Sequence, residues 1–130
     1  LETGSARLAA IRRSPEDLAA LRSAIRDLER ASGRAAFRLT DSQFHAALAE
    51  AAGNSRLEAA IESARGELFT THDLLPFTDP IQESVRDHEA IYRAVSNRDP
   101  DAASAAMREH IENTREQLRE IVFGTTRATS

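Results

Sequence analysis

Asp41, Ser42, Gln43, Phe44 and His45 form the stretch with the clearest chemical content. On a helix, residues four apart lie about 40° from each other around the axis, so Asp41 and His45 would point the same way. That places a carboxylate beside an imidazole. Two more histidines, His88 and His110, fall on the apolar stripes of later helical segments. A lone histidine on an apolar face is ordinarily a satisfied core residue. Three of them on the inner stripes of three helices, one with an acid a turn earlier, would leave several imidazoles buried without partners, which is costly. A shared divalent ion satisfies all of them, and imidazole with carboxylate suits Zn²⁺, Ni²⁺, Mn²⁺ or Fe²⁺.

Two further residues are candidates for contact with a small ligand. Arg65 is one helical step from Ile61 and Leu68 and could turn inward to meet a carboxylate. Its competing role is a surface arginine whose stem covers apolar area. His72, near the end of the same segment, could line the same cavity or face solvent. Other chemistries find little support. With no cysteine there is no thiolate nucleophile or thiolate metal site, and the five glycines are scattered rather than gathered into a phosphate loop.

The elements that must position these residues read as helices throughout. Apolar residues make up 41% of the 130 and aromatics only 5%, so the core must be built from Ala, Leu and Ile, which favours helix packing. All the basic residues are arginine, and acids outnumber them 21 to 17 without any basic stripe, which argues against nucleic-acid binding by this segment alone. No apolar run reaches the roughly 18 residues of a membrane span, and a cytoplasmic location is the expectation.

An opening helical pattern runs from Leu1 to Arg13 with no preceding cap, as expected of a segment cut from a longer protein. Ser14, Pro15, Glu16 and Asp17 start a second helix: a serine cap, proline at the first position, acids in the first turn. Ser32 and Gly33 close it. A third helix is expected from Thr40, with Thr40 and Gln43 as a capping box, and Gly53 as its terminator. Ser55 is the expected cap of the fourth, striped by Leu57, Ile61, Ala64 and Leu68. A loop over Pro76 to Asp79 leads to a fifth helix capped by Asp79 and opened by Pro80. Asp99 and Pro100 open the last, with a frayed tail over 124–130. The expected architecture is all-α, an antiparallel bundle of about six helices in one domain, 1–123.

These residues match a known pattern. Leu1-Glu2, Ala6 to Ala10 and Ser14 to Leu18 open it. Asp41 to His45 leading into Ala51 to Asn54, His88 to Ile91, Asp99 with Ala102 and Ala103, and Met107 to His110 continue it in order. Over roughly residues 1 to 122 the chain resembles the C-terminal effector-binding (FCD) domain of GntR-type bacterial transcriptional regulators of the FadR subfamily. The resemblance implies that Asp41, His45, His88 and His110 bind a divalent metal that helps hold a small organic acid. It also implies a homodimer that controls an N-terminal winged helix-turn-helix domain, absent from this segment, which would make the DNA contact. Two other functions compete: a helical-bundle metal-dependent hydrolase, which would need a spare carboxylate (Glu89 and Glu109 adjoin histidines but point about 100° away from them on a helix), and a metal-free dimerisation module.

Overall fold

The computed structural model describes residues 2–72 and 81–128, with the side chains of 55, 66–72, 121, 122 and 124–128 outside that description. It is an all-α bundle of six helices: α1 Glu2–Arg12, α2 Pro15–Glu29, α3 Gly33–Ala52, α4 Ser55–His72, α5 Ile81–Ser96 and α6 Pro100–Ala128. Among the described residues, no helix is long and apolar enough to cross a membrane.

The short α1 is the centre of the packing. It lies against α3, α5 and α6 at once, and it can do so because its inward residues Ser5, Ala6, Ala9 and Ala10 are small and fully buried. Larger side chains from the surrounding helices fill the space around it. Leu21 and Ile25 of α2, Phe44 and Leu48 of α3, Ile91 and Val95 of α5, and Met107 of α6 form one continuous core. Helix α4 packs on α3, on the outside of the bundle, and brings Ile61 into the core at 4% exposure.

Several helix ends follow the sequence signals. Ser14 and Asp17 form a reciprocal capping box with Pro15 at the first helical position. Gly53 closes α3 in the left-handed conformation (φ 69°), where a Cβ would be strained. Asp99 caps α6, its Oδ1 accepting from the Ala102 amide at 3.0 Å.

Four expectations are corrected. Helix α2 ends at Glu29, and Ser32 and Gly33, expected to close it, stand at the start of α3 instead. Helix α3 begins at Gly33, not at Thr40. The Thr40 hydroxyl donates backwards to the carbonyl of Ala36 at 2.8 Å, a mid-helix use of threonine that mimics a cap in sequence. The seven residues before it, which include Arg34, Ala35, Ala36, Arg38 and Leu39, are mostly strong helix formers. At α4 the cap is Asn54, whose Oδ1 accepts from the Leu57 amide at 3.0 Å, rather than Ser55. Ala64, expected on the inner stripe of α4, is exposed. The proposed loop over 76–79 and the Asp79-Pro80 cap lie outside the described residues. Helix α6 runs through Gly124 to Ala128.

Candidate metal centre

Asp41 and His45 come from the middle of α3, His88 from α5 and His110 from α6. All four are buried: His88 at 0% exposure, His45 at 4%, Asp41 at 6% and His110 at 8%. One ligand atom from each lies within 4.8 Å of all the others. The three imidazole centroids are 5.0 to 5.5 Å apart. The i, i+4 spacing on α3, with one residue from each of two facing helices, brings together the four residues singled out in the sequence.

Each imidazole is held differently. The Nδ1–H of His110 donates to Asp87 Oδ2 at 2.9 Å, and Asp87 is itself steadied by Asn113 Nδ2 at 3.1 Å. His45 Nδ1 faces Glu2 Oε1 at 3.2 Å. His88 stacks flat on Phe44, with ring centroids 4.1 Å apart and planes within 5°. Asp41 Oδ1 is 3.2 Å from His88 Nε2 and 3.5 Å from His45 Nε2. Neither approach has hydrogen-bond geometry. His45 Nε2 and both nitrogens of His88 are therefore buried without a hydrogen-bond partner.

Arg65 has turned inward from α4. Its side chain is 13% exposed and ion-pairs with Asp41 Oδ2 and, at 3.4 Å, with Glu2 Oε1. A cavity of about 290 Å³ opens beside it between α3 and α4, lined by Ser42, His45, Ala46, Ile61, Glu62 and Arg65 among others. The backbone of His72 ends α4, while its side chain lies outside the described residues.

The electrostatics follow from burial against neighbouring charge. Burial raises the pKa of Asp41, but the charges of His45 and Arg65 outweigh it and hold the carboxyl well below the usual range. Burial and Arg65 push His45 down, yet the nearby Asp41 and Glu2 carboxylates carry it above the ordinary histidine value. His88 is pushed down to about 4 by burial, helped by the charges of His45 and His110 and opposed by Asp41. Burial also raises Glu2, but His45 and Arg65 overcome that and set it at about 2.

These residues fit a divalent ion on two observations. His45 Nε2 and both nitrogens of His88 are buried without a hydrogen bond, a costly state that a cation would relieve at His45 Nε2 and at one nitrogen of His88. The Nδ1–H donations of His110 and His45 leave their Nε2 lone pairs as donors, the usual arrangement for a metal-bound histidine. Three imidazoles and one carboxylate would suit Zn²⁺, Ni²⁺ or Mn²⁺.

Glu2 and Asp87 were not singled out in the sequence. Glu2 lies 43 residues from His45, and as an acid in the first turn of a helix it carries an ordinary dipole-compensating signature. Its one available signal is that it shares a helical stripe with Ser5, Ala6 and Ala9. Asp87 adjoins His88 but orients His110, 23 residues away, and no local pattern connects them.

The FCD domain model matches residues 1–113. The Exu regulon transcriptional regulator of Escherichia coli K12 is 34% identical over 101 residues, covering 69% of this chain and 38% of that protein. The Uxu operon transcriptional regulator of the same organism is 31% identical over 129 residues, covering 92% of this chain and 50% of its own length. A protein named uncharacterized HTH-type transcriptional regulator YcbG, of Bacillus subtilis, is 31% identical over 121 residues, covering 91% of this chain and 50% of its own. The chain thus spans half or less of each of these relatives. With most of its length matched by the family model and three regulators aligned to it, this chain belongs to the FCD domain family.

Proposed function

We propose that the chain is the effector-sensing domain of a bacterial GntR-type transcriptional regulator. Asp41, His45, His88 and His110 hold one divalent transition metal, and a small carboxylic acid binds beside it in the cavity between α3 and α4. Arg65 lines that cavity, and its planar guanidinium, which already pairs with Asp41 and Glu2, would share its donors with the acid's carboxylate. A divalent ion in this centre supplies Lewis acidity, polarising an oxygen of the acid. Binding that differs between two packings of the bundle shifts their populations and, in a homodimer, the relation of two N-terminal DNA-binding domains.

The observation that carries this reading is the convergence of four buried ligand atoms within 4.8 Å, where His45 Nε2 and both nitrogens of His88 make no hydrogen bond. A metal-free dimerisation module leaves those nitrogens unexplained. A hydrolase would need a further carboxylate beside the ion to activate water. The two acids next to the histidines do not supply it: Glu89 pairs with Arg22 at 3.0 Å, and Glu109 is exposed.

Elemental analysis of the purified protein beside His88→Ala tests the centre. About one equivalent of a transition metal per chain is expected in the parent and little in the variant. No metal in the parent, together with no thermal stabilisation on adding Zn²⁺, Ni²⁺ or Mn²⁺, would overturn the reading. Small carboxylic acids should then raise the melting temperature of the metal-loaded protein more than that of the metal-free protein, without being consumed.

A further inference from the structure

Helix α1 reaches the centre through one residue. Glu2 stands three, four and seven positions before Ser5, Ala6 and Ala9, so it lies on the same inward stripe as these buried residues. Its Oε1 is 3.2 Å from His45 Nδ1 and 3.4 Å from Arg65 Nη1. It therefore touches α3 and α4 together, from a helix that supplies none of the four ligand atoms. The far end of α1 is tied down separately: Arg12 donates to the Ala52 carbonyl and Arg13, just past the helix, to the Ser96 carbonyl, both at 2.8 Å. Once that end is fixed, the contact at Glu2 is the polar attachment of the other.

We propose that Glu2 is a positioning residue of the metal centre, and that through it the binding of a divalent ion tightens α1 onto α3. This rests on the metal-centre reading above. By accepting from His45 Nδ1–H, Glu2 fixes the tautomer and turns the Nε2 lone pair toward Asp41 and the other imidazoles. A cation drawing on Nε2 makes Nδ1–H a stronger donor, so the bond to Glu2 strengthens when the ion is bound. The coupling is reciprocal: whatever factor Glu2 adds to metal affinity, the metal adds to the docking of α1. Asp87 holds His110 in the same way, but it ties α5 to α6 and leaves α1 untouched.

The test measures Zn²⁺ affinity by chelator competition, and amide hydrogen exchange with and without Zn²⁺. The parent is compared with Glu2→Ala, Glu2→Gln and the exposed-site control Glu16→Ala. Loss of an outer partner of a ligating histidine typically weakens binding about 10–100-fold. That loss is expected for Glu2→Ala. A smaller one is expected for Glu2→Gln, whose amide oxygen still accepts from Nδ1–H without the charge, and none for Glu16→Ala. Zn²⁺ should slow exchange in α1, α3, α5 and α6 of the parent, but only in α3, α5 and α6 of Glu2→Ala. Should that variant prove unfolded, the graded loss in Glu2→Gln carries the test. Parent-like affinity in both Glu2 variants, or equal α1 protection by Zn²⁺ with and without the carboxylate, would overturn the proposal. Failure of the parent itself to bind Zn²⁺ would remove the metal-centre reading and this inference with it.

Discussion

At one end of α1 a carboxylate meets an imidazole and a guanidinium inside the bundle. Near the other end, arginines meet main-chain carbonyls at its edge. Arg12 and Arg13 donate to the carbonyls that end α3 and α5. Arg98, from the turn between α5 and α6, donates back to the Ile11 and Arg13 carbonyls at 3.1 and 3.3 Å. Helix C-termini leave their last carbonyls without intrahelical partners, and these arginines supply donors to them. The two ends thus differ in what they leave over. The arginine end matches charged donors to acceptors, and of these three side chains only Arg13 has a buried nitrogen, Nε, without a hydrogen bond. The histidine end leaves three ring nitrogens over, more than structure alone would require. Saturation marks a fastening, and a surplus of buried ring nitrogens without hydrogen bonds calls for another explanation, which the proposed ion would supply.

The contrast breaks most sharply at His88. Replacing it with leucine should weaken Zn²⁺ binding well beyond the ~100-fold upper range for an outer-shell loss. The metal-free protein should lose no stability and could gain about 1 kcal/mol, because two unpartnered buried nitrogens are removed. Urea unfolding of the metal-free variant and chelator competition read the two effects separately. A large destabilisation of the metal-free protein would mean that His88 serves the fold, as the arginines do.

A pH series gives the next largest effect. His45 has a raised pKa, so its proton must leave when a metal binds. Below that pKa, affinity should fall about tenfold for each pH unit from this residue alone. His88, at about 4, adds no proton release above pH 5. In the metal-free protein the sign reverses for His45. Its contribution to stability is full below the unfolded value of about 6.5 and is lost as pH rises through the folded pKa. Metal-loaded protein should therefore gain stability, relative to metal-free protein, as pH rises from 5 to 8. Parallel melts across that range check the sign.

Arg13→Ala probes the other end. Losing a part-buried, charge-assisted bond to the Ser96 carbonyl should cost about 1–2 kcal/mol of unfolding free energy. Zn²⁺ affinity should stay within about twofold, since sites this well separated behave additively. Denaturant unfolding and the same competition assay decide it. A loss of affinity matching the Glu2 variants would show that the two ends of α1 act as one unit.

The difference between the ends also accounts for how much of the molecule was legible in the sequence. Asp41, His45, His88 and His110 stood out because each occupies an inner-stripe position on its own helix, which the 3.6-residue period exposes. The caps at Ser14 and Asp99 and the terminator at Gly53 were legible because their signals are local. Glu2, Asp87 and the arginine-to-carbonyl bonds were not, because each joins residues far apart in sequence whose types are common on any helix surface. Arg65 was legible only as an alternative, since an arginine stem covers apolar area equally well whether its head turns in or out. The start of α3 misled for a different reason. Thr40 followed by Gln43 has the composition of a capping box, and only the helix before it shows that the hydroxyl bonds backwards to Ala36.

The smallest predicted effect concerns the backbone of Arg98. It is the one non-glycine residue with positive φ among the described residues, at 53°. Its amide donates to the Val95 carbonyl, and the Asp99 amide donates to the Ala94 carbonyl. That pairing is the Schellman closure of α5, and Arg98 occupies the left-handed position where glycine is usual. Left-handed backbone costs an ordinary residue roughly 1 kcal/mol, and the exposed bonds from its guanidinium to Ile11 and Arg13 offset that cost. Arg98→Ala keeps the strain and loses the bonds, so it should destabilise by about 1–2 kcal/mol. Arg98→Gly loses the same bonds but also the strain, so it should lie within about 0.5 kcal/mol of the parent. The gap between the two variants measures the strain, and the shift of Arg98→Ala measures the fastening. Equal destabilisation by both would mean that the left-handed turn costs arginine nothing here, and that the bonds to the end of α1 carry the whole effect.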